Sequence, residues 1–343
     1  MIYVIIFFLL VSVFFYVLFG GADFGAGIVE LFSKSKESTT KLITNAMLPI
    51  WEANHMWLII AVVILFNAFP PLYTQISIAL YIPLIILLLG IVLRGTAFTF
   101  RHYDAFKDYS NVIYTRIFMY SSLLVSIMFG LIIGALVSGK IYVQPMDFYS
   151  AYVHPWLNLF SISIGIFVAA IFAFVASVYL IGDTTDFEIR IEFIQKSKKA
   201  NIVMVIAGAL VFISSFIEDV DFASRFFSNI GSILMIIVST VLLPVLWITL
   251  SKGKIWLSRI ITGAQLFAII GAFYLVYFPT VVKMKDANDL TLFNSAAPDI
   301  TLKYLGYALI VGSFIIFPSL IYLIKVFKVE PVKEIPIEDR PVK

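Results

Sequence analysis

The chain has 343 residues, of which 61% are hydrophobic and only 13% charged, and its mean hydropathy is +1.01. Ordinary water-soluble domains carry about 25% charged residues, so this surplus of apolar side chains excludes a globule that hides its core from water. The net charge of +3 is unremarkable and points to no nucleic-acid partner, and the absence of cysteine excludes disulfides, iron–sulfur clusters and thiolate metal sites.

The apolar stretches are near-continuous and about 20 residues long, which selects membrane-spanning helices over alternating barrel strands. The expected fold is therefore an all-α integral membrane protein. Nine spans are predicted over residues 1–327, arranged as two four-helix bundles plus one additional helix. A cytoplasmic tail, 328–343, is rich in proline and charge and is expected to be disordered.

The first span, 2–31, lacks a positive leader and a small-residue cleavage site, so it reads as a span and not as a signal peptide. It ends on GADFGAG at 21–27, which places Asp23 inside an apolar run. Gly21 and Gly25 form a GxxxG that permits close helix approach, with Gly27 beside them. The second span, 46–69, opens on PIWEANHMWLI, which carries Trp51, Glu52, Asn54, His55 and Trp57. A charged side chain at mid-bilayer costs at least ~2.5–3.5 kcal/mol, and both acids are set back from that depth. Asp23 lies about 15 Å, and Glu52 about 10 Å, from the boundary between these two spans at 1.5 Å per residue. Consecutive antiparallel helices are expected to be neighbours, so a polar pocket shared by the two acids is the simplest geometry that relieves their desolvation. A carboxylate, an amide and an imidazole within one turn are groups that can pass a proton along. A bond from Asp23 to backbone, or a snorkelling Lys41 beside Glu52, would account for the same acids without a relay.

The third and fourth spans are predicted at 73–98 and 112–137. Arg94, Arg101 and Arg116 flank the loop between them and read mainly as topology signals. The fifth span is 155–181. A loop at 182–200 follows, with a short helical elbow suggested by Glu192 and Lys196 at i,i+4. Lys196, Lys198 and Lys199 there suggest contact with anionic lipid, or an anchor on that side. The remaining spans are 201–218, 228–250, 256–278 and 303–327. Glu218, Asp219 and Asp221 read as a solvated helix end. The 33 phenylalanines and 17 tyrosines read as lipid-facing and interfacial residues. Of the 24 lysines and arginines, all but Lys140, Arg225, Lys283, Lys285 and Lys303 fall in loops after odd-numbered spans or in the tail. By the positive-inside rule the N-terminus is outside and the C-terminus cytoplasmic.

Four segments together resemble subunit II of the cytochrome bd-type quinol oxidases. They are GADFGAG at 21–27, PIWEANHMWLI at 49–59, LRGTAFTFRHY at 93–103 and LTLFNSAAPDITLKYL at 290–305. The likeness covers essentially the whole chain, and the first two segments at their spacing are the specific ones. The resemblance implies a prokaryotic plasma-membrane complex in which a partner, subunit I, carries two b-type haems and one d-type haem. That complex oxidises quinol and reduces dioxygen to water with protons from the cytoplasm. On that likeness this chain binds no haem or metal and has no catalytic residue of its own. It stabilises subunit I and lines part of the proton route, with Asp23 and Glu52 at the family's acidic positions and Asn54 and His55 beside them. The family's usual aspartate after the second-span tryptophan is Glu52 here, and an acid some relatives carry three positions before Asp23 is Gly20. A structural quinone and a small single-span accessory subunit are further partners the resemblance raises, along with membrane lipids. Three histidines, His55, His102 and His154, are too few and too scattered for a haem–copper core. Two other readings are a stand-alone secondary transporter and a scaffold that only assembles its partner.

Overall fold

A computed structural model describes residues 1–33, 36–103, 109–184 and 186–327. Among these residues twelve helices form in this order: α1 (Ile2–Leu31), α2 (Lys36–Ala68), α3 (Pro70–Ala79), α4 (Tyr81–Tyr103), α5 (Tyr109–Val137) and α6 (Phe148–Tyr152). After them come α7 (Leu159–Ile181), α8 (Phe187–Ile217), α9 (Phe222–Ser228), α10 (Ile230–Ser251), α11 (Ile255–Tyr277) and α12 (Asp299–Phe327). A two-stranded antiparallel hairpin, β1 (Thr280–Val282) and β2 (Leu290–Thr291), sits in the loop before α12. Among the described residues eight helices are long and apolar enough to cross a membrane, and nine if the bent α2–α3 pair counts as one span.

Helix starts follow local chemistry. Asn158, Asp186 and Asn229 each accept backbone N–H bonds at the heads of α7, α8 and α10, satisfying donors that have no partner inside the helix. Pro70 and Pro71 open α3. Neither has an N–H, so α2 cannot continue through them, and α3 leaves at 114° to it. The predicted third span at 73–98 is corrected accordingly: 70–79 is a separate short helix, and the long helix starts at Tyr81. The predicted elbow in 182–200 is also corrected. Its Glu192–Lys196 pair forms at 2.7 Å, but on a helix that runs unbroken from Phe187 to Ile217.

The long helices fall into two groups of four, α1/α2/α4/α5 and α7/α8/α10/α11. The groups meet where α7 packs on α1 and α5, and α12 lies against α1 and α2. Glycine sets the closest approaches. A Cβ on Gly25 would sit 1.9 Å from the Phe172 carbonyl oxygen of α7, and one on Gly130 of α5 would sit 2.5 Å from the Cα of Gly165 on α7. The stretch of α1 from Gly20 to Glu30 is buried throughout. Large apolar side chains on α8, α10 and α12, such as Ile206, Val241 and Phe314, are exposed, as suits a surface solvated by lipid. The tail 328–343 lies outside the described residues.

Candidate functional site

One face of α1 carries a buried row of polar groups. Tyr16, Asp23 and Glu30 recur every seven residues and are all buried, so they stack on one face at steps of about 10 Å. Each acid meets an arginine of α4. Arg94 donates from Nη2 to Asp23 Oδ1 at 2.5 Å and to the Asp23 carbonyl at 2.8 Å, and from Nε to Ser122 Oγ of α5 at 3.1 Å. Arg101 Nη1 donates to both oxygens of Glu30 at 3.0 and 2.9 Å, and Thr40 Oγ1 donates to Glu30 Oε1 at 2.5 Å. Asp23 is 0% and Arg94 1% exposed. Charges this deep persist only when paired and hydrogen-bonded. Phe118 of α5 lies between the two guanidinium groups, with Arg94 Cζ 4.8 Å and Arg101 Cζ 4.2 Å from its ring centroid. Its π-face adds a further attraction for both cations.

The second helix supplies the other wall. Asn54 is buried, and its Nδ2 reaches Asp23 Oδ2 at 3.5 Å. It also lies against Gly20, where a Cβ would come within 3.0 Å of Asn54 Oδ1. The glycine at position 20 therefore makes room for the amide. Asn54 Oδ1, Tyr16 Oη and Trp57 Nε1 are buried with no protein partner. Buried polar atoms of this kind are the places where internal water is held.

The sequence-predicted residues divide clearly. Asp23 and Asn54 meet. His55 is half-buried, and its Nδ1 donates to the Trp51 carbonyl at 2.7 Å, so its bond runs along its own helix and not to Asp23. Trp51 packs on Phe98 of α4, and Trp57 stacks on Phe15 with centroids 4.7 Å apart. Gly21 and Gly25 face Phe172 of α7, and Gly27 faces Ser122 and Phe118 of α5. The side chain of Glu52 lies outside the described residues. Among the described residues no group of three or more histidine and acidic side chains gathers as a metal site would require.

Two readings of charge are corrected. Arg94 and Arg101 are not loop markers but buried partners of Asp23 and Glu30; only Arg116 of that trio is exposed. Glu218 and Asp221 are not a simply solvated helix end. Glu218 pairs with Lys140 at 2.5 Å, and Asp221 bridges Arg225 at 2.6 Å and Lys283 at 2.5 Å. Glu30 was missed altogether. Its signal is present in the sequence as a shared spacing: acids seven apart on the first span, and arginines seven apart closing the third.

The family model described as cytochrome bd terminal oxidase subunit II matches residues 1–327. The cytochrome bd ubiquinol oxidase subunit 2 of Bacillus subtilis is 28% identical over 310 residues, 88% of each chain. The cytochrome bd-I ubiquinol oxidase subunit 2 of Escherichia coli K12 is 30% identical over 81 residues, 24% of this chain and 21% of its own length. Among solved structures, the bd oxidase from Geobacillus thermodenitrificans contains a chain that superposes with a TM-score of 0.75 at 17% identity, covering 96% of this chain and 99% of that one. At that identity the superposition speaks for the fold.

Proposed function

Because the chain belongs to the cytochrome bd terminal oxidase subunit II family, we propose that it is the haem-free half of a quinol:dioxygen oxidoreductase, and that it stabilises a haem-bearing subunit I and gives protons a way in from the cytoplasm. In that complex quinol supplies the electrons and subunit I holds the b-type and d-type haems. The proton route enters on the cytoplasmic side, with the N-terminus outside, and follows Asp23, Glu52, Asn54 and His55 between α1 and α2.

The observation that carries this reading is the partly unsatisfied polar seam beside Asp23. The carboxylate is held by Arg94 on one side and faces the Asn54 amide on the other. Asn54 Oδ1 and Tyr16 Oη are left for water. A water file along this seam would connect the groups without moving the ion pair. The Asp23–Arg94 pair itself favours a second, structural reading in which the seam only holds helices together.

Replacing Glu52 with Gln in the assembled complex separates the two. Slower oxygen consumption and slower proton uptake with intact assembly support the route; unchanged rates leave the scaffold. An absorption spectrum of the purified complex, with its subunit composition, tests the partnership. A haem-free homo-oligomer would return the transporter reading.

A further inference from the structure

A groove of about 940 Å³ opens between α1, α5, α7 and α8, and its lining shares no residue with the Asp23 seam. That is the upper end of the ~300–1,000 Å³ range of ligand sites. Its two ends differ in chemistry. The deep end is apolar. Ala169, Ala170 and Ala173 of α7 form a floor without bulk, and Ile127 of α5 with Ile166 of α7 form the walls. The mouth lies at the start of α8 and carries Glu188, Glu192, Lys196 and Lys199, with Asp186 at its edge.

Along α8 the lining runs from the charged Glu192 to the apolar Val203, eleven residues or about 16 Å at 1.5 Å per residue. A polar mouth at interfacial height over an apolar slot of this length matches a headgroup with acyl chain below it. We propose that the groove binds one glycerophospholipid with a zwitterionic ammonium–phosphate headgroup.

Charge complementarity selects the headgroup. The mouth holds two cations, Lys196 and Lys199, against three carboxylates, Asp186, Glu188 and Glu192. Lys196 is already engaged by Glu192 at 2.7 Å and donates to Ser33 Oγ. The surplus of negative charge among the lining residues disfavours a purely anionic headgroup. A zwitterion satisfies both signs, with its phosphate toward Lys199 and its ammonium toward Glu188, leaving the Glu192–Lys196 pair in place. The proposal does not depend on the proton route.

The test is lipid retention. The chain is purified from its native membrane with whatever accompanies it, washed with a mild detergent, and analysed by native mass spectrometry and lipid extraction. It is then reincorporated into nanodiscs of equal phosphatidylethanolamine and phosphatidylglycerol. Stoichiometric retention of phosphatidylethanolamine is expected. Ala173→Phe, which fills the slot, should abolish retention. Glu188→Gln, which leaves the slot open, should shift preference toward phosphatidylglycerol. Retention of phosphatidylglycerol or a quinone by the native chain, or no retained lipid, overturns the proposal. So does unchanged retention in Ala173→Phe protein that folds and assembles.

Discussion

Asp23 and Arg94 stand 71 positions apart in the chain and 2.5 Å apart in space, and Glu30 and Arg101 repeat the same separation one heptad later. Two parallel helices thus carry matched charges at a seven-residue interval. The register between α1 and α4 is set by this match, because sliding either helix by a turn would leave two buried acids facing two displaced cations. Each pair is enclosed by α5, through Ser122 and the ring of Phe118.

Removing one partner should cost far more than removing both. Arg94→Met strands a buried carboxylate and is expected to destabilise the protein by about 3–5 kcal/mol. Asp23→Leu combined with Arg94→Met removes both desolvated charges and should recover a large part of that loss. Thermal unfolding of the purified protein reads the difference. Equal losses in the single and double variants would show that the pair is not what holds α4 to α1.

Gly25 and Gly263 make a contrasted pair. A methyl group at Gly25 collides with the carbonyl of Phe172, which is backbone and cannot turn aside, whereas nothing lies within 4 Å of one at Gly263. Gly25→Ala should cost about 1–3 kcal/mol or more through forced separation of α1 and α7. Gly263→Ala should be neutral or stabilising by roughly 0.5–1 kcal/mol, the ordinary helix advantage of alanine. Yield and melting temperature of the two variants, measured side by side, check the ordering.

Phe118 should matter to both ion pairs at once. Phe118→Leu keeps bulk but removes the π-face between the guanidinium groups, with an expected loss of about 0.5–2 kcal/mol per cation. The same substitution in an Arg101→Met background should cost less, and equal cost in both backgrounds would count against the sandwich.

The loops at the end of the molecule where α8 stops should loosen as pH falls. Burial works to raise the carboxyl of Glu218, but its bonds from Lys140 and from the Leu159 N–H outweigh this and hold it below the usual range. Burial likewise opposes, and Lys283 and Arg225 outweigh, for Asp221. Burial, then Lys140, push His154 below an ordinary imidazole, with Lys285 in the same direction and Glu218 opposing. All three groups bind fewer protons folded than unfolded, so their contribution is complete above the unfolded pKa and is lost as pH falls through the folded one. His154 acts first, below about 6.5, and the carboxylates below about 4. Hydrogen exchange of segments 140–158 and 279–295 should quicken in that order on acidification. His154→Gln should remove the first step; a first step that survives this change would assign it to another group.

Much of the fold could be read from composition alone, because lipid forces backbone groups to pair within each segment. Apolar run length is therefore a nearly direct record of helix count, and α1 begins and ends where its run does. The reading failed where a local break lay inside an apolar run. Pro70 and Pro71 split what hydropathy joins, and the start of α8 is helical although it is charged. Within the site, Asp23 and Asn54 announced themselves as polar groups in apolar surroundings, whereas Arg94 and Arg101 resembled any cations near a loop between spans.

What the sequence by itself determined is the solvent, the helices and the presence of buried acids, since these depend on transfer free energies that each residue carries wherever it is placed. What only the tertiary structure decided is which charges face one another. Pairing between α1 and α4 depends on the rotation of two helices whose paired residues stand 71 positions apart and on how closely glycines let α1 approach α5 and α7, and neither is a property of any one segment.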